Sequence, residues 1–281
     1  SILLLPSQES PRFLYLQRND KEKARQVLKK LRGEEDVEEE MEELCQEHLA
    51  ESSQNNMTAW KLLRFRSLRW HLITVMVMVS GSQLVETNAV LIFAEQSYKT
   101  LGLSTKAVNL IPLVGNLIIQ LMLLTTICTV DSLGRRFLLL SGFLMCSLSN
   151  IALVFTFKID TPAAAFISII LIALFFMGHI TGPASILFLV IGELFLQSSR
   201  ASAYVLAGYI SWGANFASAI LFLLTKSYLG PYFLLIYWPL IVLTYIYIFR
   251  VVPETCGKTF QEIQENVAAC TSKNSRKIMA E

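Results

Sequence analysis

Two short clusters pair an acidic side chain with arginine at the ends of long apolar segments. The first cluster contains Asp131, Arg135 and Arg136, and the second contains Glu193 and Arg200. A charge at a membrane boundary is costly unless it meets an opposite charge or water. Two such clusters on one side of a membrane predict ionic locks that open and close, which is typical of a transporter's cytoplasmic gate.

A second group of polar side chains lies inside the apolar segments. Gln83 and Asn88 belong to the first of these segments. Each amide carries donors and an acceptor, so it can replace the water around a hydroxyl group without adding a charge. The alternative is interhelical hydrogen bonding that stabilises a helix bundle. Because five residues turn a regular helix by about 140°, both amides can face one ligand only if this segment bends.

His179, Trp212 and Asn215 extend this candidate binding site. Trp212 and Asn215 lie one helical turn apart and offer an aromatic platform beside an amide. His179 precedes Pro183 in the long segment 163–191, where proline removes one helical hydrogen bond. A freed carbonyl at membrane depth is tolerated only where it faces protein or a water-filled cavity, so we expect a broken helix beside a cavity. Ordinary packing remains an alternative for His179 and Trp212.

The elements that must position these residues are apolar and long. The chain has 281 residues, of which 53% are hydrophobic and 16% charged, as in a membrane protein. Six segments of about 20 residues or more could cross a hydrocarbon core of about 30 Å. They run approximately over residues 70–94, 107–130, 137–157, 163–191, 201–225 and 231–251.

The distribution of positive charge predicts the orientation of the spans. Eight cations flank one side: Arg64, Arg66, Arg69, Arg135, Arg136, Arg200, Arg250 and Lys258. Four flank the other: Lys99, Lys106, Lys158 and Lys226. The richer side is predicted to be cytoplasmic, with both termini there and the plasma membrane as the location. The net charge of +2 calls for no nucleic-acid partner and leaves membrane lipid as the electrostatic partner.

Four regions are predicted along the chain. Residues 1–16 are the end of an earlier span and a cytoplasmic motif, 17–66 an intracellular helical linker, 67–252 the six-helix transmembrane bundle and 253–281 a cytoplasmic tail. In the linker, a basic helix and an acidic helix flank Gly33. Their separation of charge favours a helical bundle docked on the span ends over a solvated linker.

Other classes of membrane protein fit the sequence less well. None of the segments has the periodic arginines of a voltage sensor. An intramembrane protease could pair Ser185 with His179, but the chain has no GxSxG-like turn, so no enzyme activity is expected. The five cysteines have no CxxC or metal-type spacing, and no metal or other cofactor is expected.

Several motifs together resemble one family. They are Glu9-Ser10-Pro11-Arg12, Gln83-Leu84, Asn88-Ala89, Asp131 to Arg136, Gly182-Pro183, Glu193 to Arg200 and Pro253-Glu254-Thr255. The set resembles the sugar porter branch of the major facilitator superfamily, the facilitative hexose transporters. Gly178-His179 and Phe195 to Arg200 resemble the fructose-type subclass.

The resemblance implies an all-α membrane protein. Its six transmembrane helices would form the C-terminal half of a major facilitator fold, preceded by intracellular linker helices. The function implied is facilitated transport of a hexose by alternating access, with a missing N-terminal half or a second family chain as partner. It also implies that Gln83, Asn88 and Asn215 bind sugar and that His179 and Trp212 contribute to selectivity. The implied cytoplasmic gate contains Glu9, Arg12, Asp131, Arg135, Arg136, Glu193, Arg200 and Glu254.

Departures from the family pattern leave a second hypothesis open. Glu86, Leu91 and Ile119 replace residues of the family's pocket and outer gate, and Cys256 stands where lysine is usual. A truncated or divergent family member that does not transport, and that pairs with full-length carriers or has no activity, would also have an altered pocket.

Overall fold

The computed structural model describes residues 9–16, 18–52, 58–64, 68–85, 87–100, 102, 105–159, 161–195 and 197–258. The regular elements in these ranges are helices: α1 (Pro11–Leu16), α2 (Lys21–Arg32), α3 (Glu38–Ser52), α4 (Ala59–Arg64), α5 (Arg69–Gln83), α6 (Thr87–Thr100), α7 (Thr105–Leu133), α8 (Arg135–Lys158), α9 (Pro162–His179), α10 (Ile186–Leu194), α11 (Gln197–Leu229) and α12 (Leu234–Val251). The predicted all-helical fold is confirmed.

The chain divides into two compact units. The first comprises Ser1–Thr58 with Leu196–Ser199, and the second comprises Ala59–Phe195 with Arg200–Glu281. The predicted stub of an earlier span and most of the predicted tail lie outside the described residues. The boundaries of the four predicted regions stay predictions.

The first unit is built from α1, α2 and α3. Its apolar core contains Leu14, Tyr15, Ala24, Val27, Val37, Met41 and Leu44. Helix α2 begins after Asp20, whose carboxylate accepts a hydrogen bond from the N–H of Lys23 at 3.1 Å, and it ends at Gly33, where φ is +74°. Arg25 pairs with Glu38 at 2.9 Å. Such exposed pairs contribute below about 1 kcal/mol each, so the apolar core holds this unit together.

The second unit consists of long apolar helices. Within the described residues, four stretches are long and apolar enough to cross a membrane: Leu113–Leu133, Arg135–Lys158, Pro162–Leu194 and Ser199–Val251. The last stretch contains both α11 and α12, which the 3₁₀ turn Gly230–Phe233 connects. These helices make the chain a multi-pass membrane protein, and the count of six spans stays a prediction.

The first predicted span is discontinuous. Helix α5 ends at Gln83, and helix α6 begins at Thr87. The N–H of Leu84 still donates to the carbonyl of Ser80 at 3.0 Å, so the last turn of α5 is closed before the chain leaves the helix. Glu86 lies outside the described residues.

The long predicted span 163–191 is also interrupted. A π-helical turn, Ile180–Ala184, separates α9 from α10 and contains Pro183. The hydroxyl of Ser185 donates to the carbonyl of Ile180, which adds a side-chain hydrogen bond to this turn. The structure therefore has its helical irregularity where the sequence predicts a break.

Glycines allow α8 to cross this irregular segment at very short range. A Cβ atom added to Gly142 would lie 2.5 Å from the carbonyl oxygen of Gly178 and 2.7 Å from the Cα of Gly182. A Cβ atom on Gly178 would lie 2.7 Å from the Cβ of Met145. Because the obstacles at Gly142 are backbone atoms, no side-chain rotation can relieve the clash. The contact packs α8 against both the end of α9 and the π-helical turn that follows it.

We predict that Gly142→Ala destabilises the protein. The added methyl group must push two backbones apart, which costs about 1–3 kcal/mol in a packed interior. Thermal unfolding of the purified protein in detergent, followed by intrinsic fluorescence, measures the effect. The matched control is Gly208→Ala on α11, where no described residue beyond its own helical turn lies within 4 Å of the added Cβ and alanine favours the helix. Equal midpoints for the two variants would contradict the prediction.

Candidate functional site

The N-terminus of α8 is capped by a residue distant in sequence. The position before the helix is Gly134, which has φ of +83° and no side chain to bond the first N–H groups. The carboxylate of Glu254 takes this role, because Oε1 accepts from the N–H of Arg135 at 2.9 Å and Oε2 accepts from the N–H of Arg136 at 3.1 Å. A carboxylate at this end of a helix is also favoured by the helix dipole.

The same carboxylate orders the chain that leaves α12. Oε1 of Glu254 accepts from the N–H groups of Thr255 and Cys256, each at 3.1 Å. A Cβ atom at position 134 would lie 2.7 Å from Oε2 of Glu254, so this cap requires glycine for space as well as for its positive φ. Glu254 thereby fastens the segment after α12 to the start of α8.

Arg135 connects the two charged clusters. Its Nη2 lies 2.9 Å from Oδ1 of Asp131, and its Nε donates to Oε1 of Glu193 at 3.1 Å. The side chain of Asp131 is 79% exposed, whereas those of Arg135 and Glu193 are 12% and 24% exposed. Because water screens the pair with Asp131, the contact with Glu193 is the stronger one. It joins the start of α8 to α10.

Cys256 is a member of this network that sequence reasoning did not assign to the site. Nη1 of Arg135 donates to Sγ of Cys256 at 2.8 Å, and the thiol donates to the carbonyl of Asp131 at 3.5 Å. The sequence indicated only a departure from the usual lysine. Its place two residues after Glu254 is the signal that could have identified it.

Arg136 and Arg200 bond to backbone carbonyls. Nη2 of Arg136 donates to the carbonyl of Phe249, and its guanidinium lies 5.7 Å from the centre of that ring. Nη2 of Arg200 donates to the carbonyl of Phe195 at 3.3 Å. Each of these contacts ties an arginine to the end of a neighbouring segment.

Two predicted gate residues belong to the first unit. Glu9 pairs with Arg18 at 2.9 Å, and both side chains are exposed. Arg12 lies in α1. The six remaining gate residues, Asp131, Arg135, Arg136, Glu193, Arg200 and Glu254, belong to the second unit.

The predicted sugar-binding amides of two helices are brought together. Nδ2 of Asn215 on α11 donates to Oε1 of Gln83, the last residue of α5, at 3.2 Å. Nε2 of Gln83 donates weakly to the hydroxyl of Ser82 at 3.4 Å. Trp212 lies one turn before Asn215 and is 77% exposed. The end of the broken first span therefore presents an amide pair beside an open aromatic ring.

The other two predicted binding residues occupy helix ends. Asn88 is the second residue of α6, and its side chain lies outside the described structure. His179 is the last residue of α9, and its Nδ1 is buried without a hydrogen-bond partner among the described residues. In the part of the chain that the structure describes, no group of three or more His, Cys, Asp or Glu side chains could hold a metal.

Long and interrupted apolar helices, with a charge network at helix ends and amides at a helix break, define a multi-pass membrane protein with polar groups at its helix breaks. A family model described as "Sugar (and other) transporter" matches residues 1–267. The chain therefore belongs to this sugar transporter family.

Relatives with curated names give the same assignment. "Solute carrier family 2, facilitated glucose transporter member 5" of Mus musculus is 39% identical over 267 residues, covering 94% of this chain and 53% of the relative. Facilitated glucose transporter member 7 of Homo sapiens is 36% identical over 257 residues, covering 91% of this chain and 50% of that relative. This chain spans about half the length of the curated relatives it matches.

Solved structures support the fold. A crystal structure of a double-tryptophan mutant of XylE has a TM-score of 0.77 at 25% identity, covering 94% of this chain and 55% of that chain. A second structure, described as the MFS proton:xylose symporter XylE bound to 6-bromo-6-deoxy-D-glucose, has a TM-score of 0.72 at 25% identity. The match covers 95% of this chain and 55% of that chain. The helices are those of a major facilitator fold, matched over about half its length.

We predict that the two acidic partners of Arg135 differ in their effect on stability. Glu193→Ala should lower the free energy of unfolding by about 1.5–3 kcal/mol, because it removes a charge-assisted hydrogen bond from a half-buried position. Asp131→Ala should lower it by less than about 1 kcal/mol, because its carboxylate is solvated. Denaturant unfolding of both variants in detergent measures the difference. Equal losses of unfolding free energy in the two variants would contradict the prediction that Glu193 contributes more than Asp131.

We also predict that Glu254→Ala destabilises the start of α8. The variant leaves the N–H groups of Arg135 and Arg136 without their carboxylate, and loss of a cap costs about 0.5–2 kcal/mol. Amide hydrogen exchange of the first turn of α8 should accelerate. Glu95→Ala is the control, because Glu95 is exposed and pairs with Lys99 at 2.8 Å, away from the start of α8. Unchanged exchange in Glu254→Ala would contradict the capping role.

Proposed function

We propose that this chain serves facilitated transport of a hexose, fructose or glucose, by alternating access. The observation that supports this best is the hydrogen bond between Asn215 and Gln83, which joins two helices at the break of a span. Each amide keeps further donor and acceptor capacity for a ligand hydroxyl. Since neither residue is charged, a neutral sugar would bind without being trapped by an ionic contact.

The sugar would exchange one set of hydrogen bonds for another. In the described structure the two amides bond to each other, so part of their hydrogen-bonding capacity is filled without ligand. A hexose hydroxyl can replace this bond at small net cost, because a donor and an acceptor are already directed toward one point. Trp212, exposed one turn away, would pack on the C–H face of the ring. His179 is proposed to contribute to the choice between fructose and glucose.

The charge network is proposed to act as the cytoplasmic lock. Arg135 bonds to Asp131 and Glu193, and Glu254 holds the N–H groups of α8. A conformational change that separates α8 from α10 must break the contact of Arg135 with Glu193. The energy source is the sugar gradient, and we propose that the protein lies in the plasma membrane with both termini in the cytoplasm.

A second six-helix half is needed for this function. The chain spans about half the length of its relatives, and a major facilitator transporter binds its substrate between two halves. We propose that an N-terminal half or a second family chain supplies the other side of the site.

Uptake measurements test the proposed function. The chain is reconstituted in liposomes alone and together with the N-terminal half of the Mus musculus relative, and uptake of labelled D-fructose, D-glucose, L-glucose and urea is followed. We predict saturable uptake of a D-hexose that falls about tenfold in Gln83→Ala and in Asn215→Ala, which is the effect of one lost hydrogen bond of about 1.4 kcal/mol. His179→Ala should change the ratio of fructose to glucose uptake.

Asn116→Ala is the matched control, because Asn116 is an exposed amide on α7 outside the pair. It should leave uptake unchanged. Correct insertion without stereoselective uptake, both alone and with the second half, would contradict the transport proposal. That result would favour a family member that pairs with full-length carriers or has no activity.

A further inference from the structure

A groove between α5 and α12 is lined by side chains other than those of the amide pair and the charge network, and Leu84 at its edge adjoins Gln83. It has a volume of about 460 Å³, within the range of about 300–1,000 Å³ found for small-molecule sites. Its walls are mainly apolar and include Met76, Val77, Ser80, Leu240, Leu243 and Tyr247. The two helices approach closely at its floor, where Gly81 has no room for a Cβ beside Thr244.

The hydroxyl groups in the groove are already bonded within the protein. Ser80 donates to the carbonyl of Met76 at 2.6 Å, and Thr244 donates to that of Leu240 at 2.8 Å. The hydroxyl of Tyr247 lies 3.1 Å from that of Thr74. These polar groups need no ligand, and the remaining side chains of the lining are apolar. The groove therefore suits an apolar chain and not a sugar.

Arg69 and Arg250 lie on the same helical faces as the residues that line the groove. On α5, Arg69 lies on the same helical face as Met76 and Ser80, because the steps from 69 through 73 and 76 to 80 are four, three and four residues. On α12, Arg250 follows Leu243 and Tyr247 at steps of four and three. The two helices run antiparallel, so both arginines lie at the same end of the groove.

These arginines are available to a ligand. Both side chains are exposed, and neither has an ion pair or a hydrogen bond with another residue that the structure describes. Trp70, beside Arg69, is also exposed, as tryptophans are at the boundary between membrane and water. The positive charges thus lie at the predicted cytoplasmic boundary, where anionic lipids are concentrated.

We propose that this groove binds one anionic phospholipid of the cytoplasmic leaflet. The phosphate of the headgroup binds Arg69 and Arg250, and an acyl chain lies between α5 and α12. The dimensions agree, because Ser80 is about 16 Å along α5 from Arg69 and half the hydrocarbon core measures about 15 Å. An acyl chain from that leaflet therefore ends near the close approach of Gly81 to Thr244.

Photolabelling in vesicles tests this site. The full chain is placed in vesicles that contain phosphatidylglycerol or phosphatidylcholine with a photoactivatable diazirine on one acyl chain, and the labelled peptides are identified by mass spectrometry. We expect labelling of Met76, Leu243 or Tyr247 to be more than about tenfold stronger with phosphatidylglycerol. In the double variant Arg69→Gln and Arg250→Gln this preference should disappear, since each arginine is expected to contribute about a fivefold gain.

Two further variants separate charge from packing. Lys258→Gln removes an exposed cation outside the groove and should leave the preference unchanged. Leu243→Trp, at an exposed wall position, should reduce labelling by both lipids because the larger ring fills the groove. Equal labelling by the two lipids, a preference that survives in the double variant, or labels spread evenly over the apolar helices would overturn the proposal.

Discussion

Inside a bilayer, no water is available to bond a backbone group that leaves a helix. At three of the helix interruptions in the described structure, groups of the protein itself supply hydrogen bonds. The turn after α5 is closed by Leu84, and the π-helical turn receives a donor from the hydroxyl of Ser185. At the start of α8, Glu254 accepts the first two N–H groups. Gln83 and Arg135 lie at these interruptions, whereas Asn215 reaches Gln83 from within the continuous helix α11.

Parts of this arrangement could be predicted from sequence. Asp131 and Arg135 are close in sequence, and they do pair across the short junction at Gly134 between α7 and α8. The break at Pro183 also follows from local chemistry, since proline cannot donate to the preceding turn. The physical cause of the break lies within a few residues, so this prediction is confirmed, whereas the role of the charged pair in a gate stays a prediction.

Contacts between distant segments could not be derived in this way. The capping of α8 joins residues 119 positions apart. The hydrogen bond between the side-chain amides of Asn215 and Gln83 joins residues 132 positions apart. Periodicity identified Gln83 and Asn215 as polar positions in apolar helices, yet it gave no distance between them. The family resemblance placed both in one site. The additional contact of Cys256 with Arg135 depends on how the chain turns after α12, which no local pattern specifies.

The π-helical turn has a consequence for the rotational phase of α10. An α-helix rotates by about 100° per residue, and a π-helical turn holds about one residue more than an α-helical turn. The turn therefore accommodates one extra residue while α10 keeps its rotational phase relative to α9. Removal of a single residue from Ile180–Ala184 would restore regular winding and leave Glu193 on the side of α10 that faces Arg135. A deletion within α10 itself, between Ile186 and Glu193, has no wider turn to absorb it and would rotate Glu193 by about 100° away from Arg135. The charge network thus tolerates a change of length in the wide turn but not in the helix that carries the carboxylate.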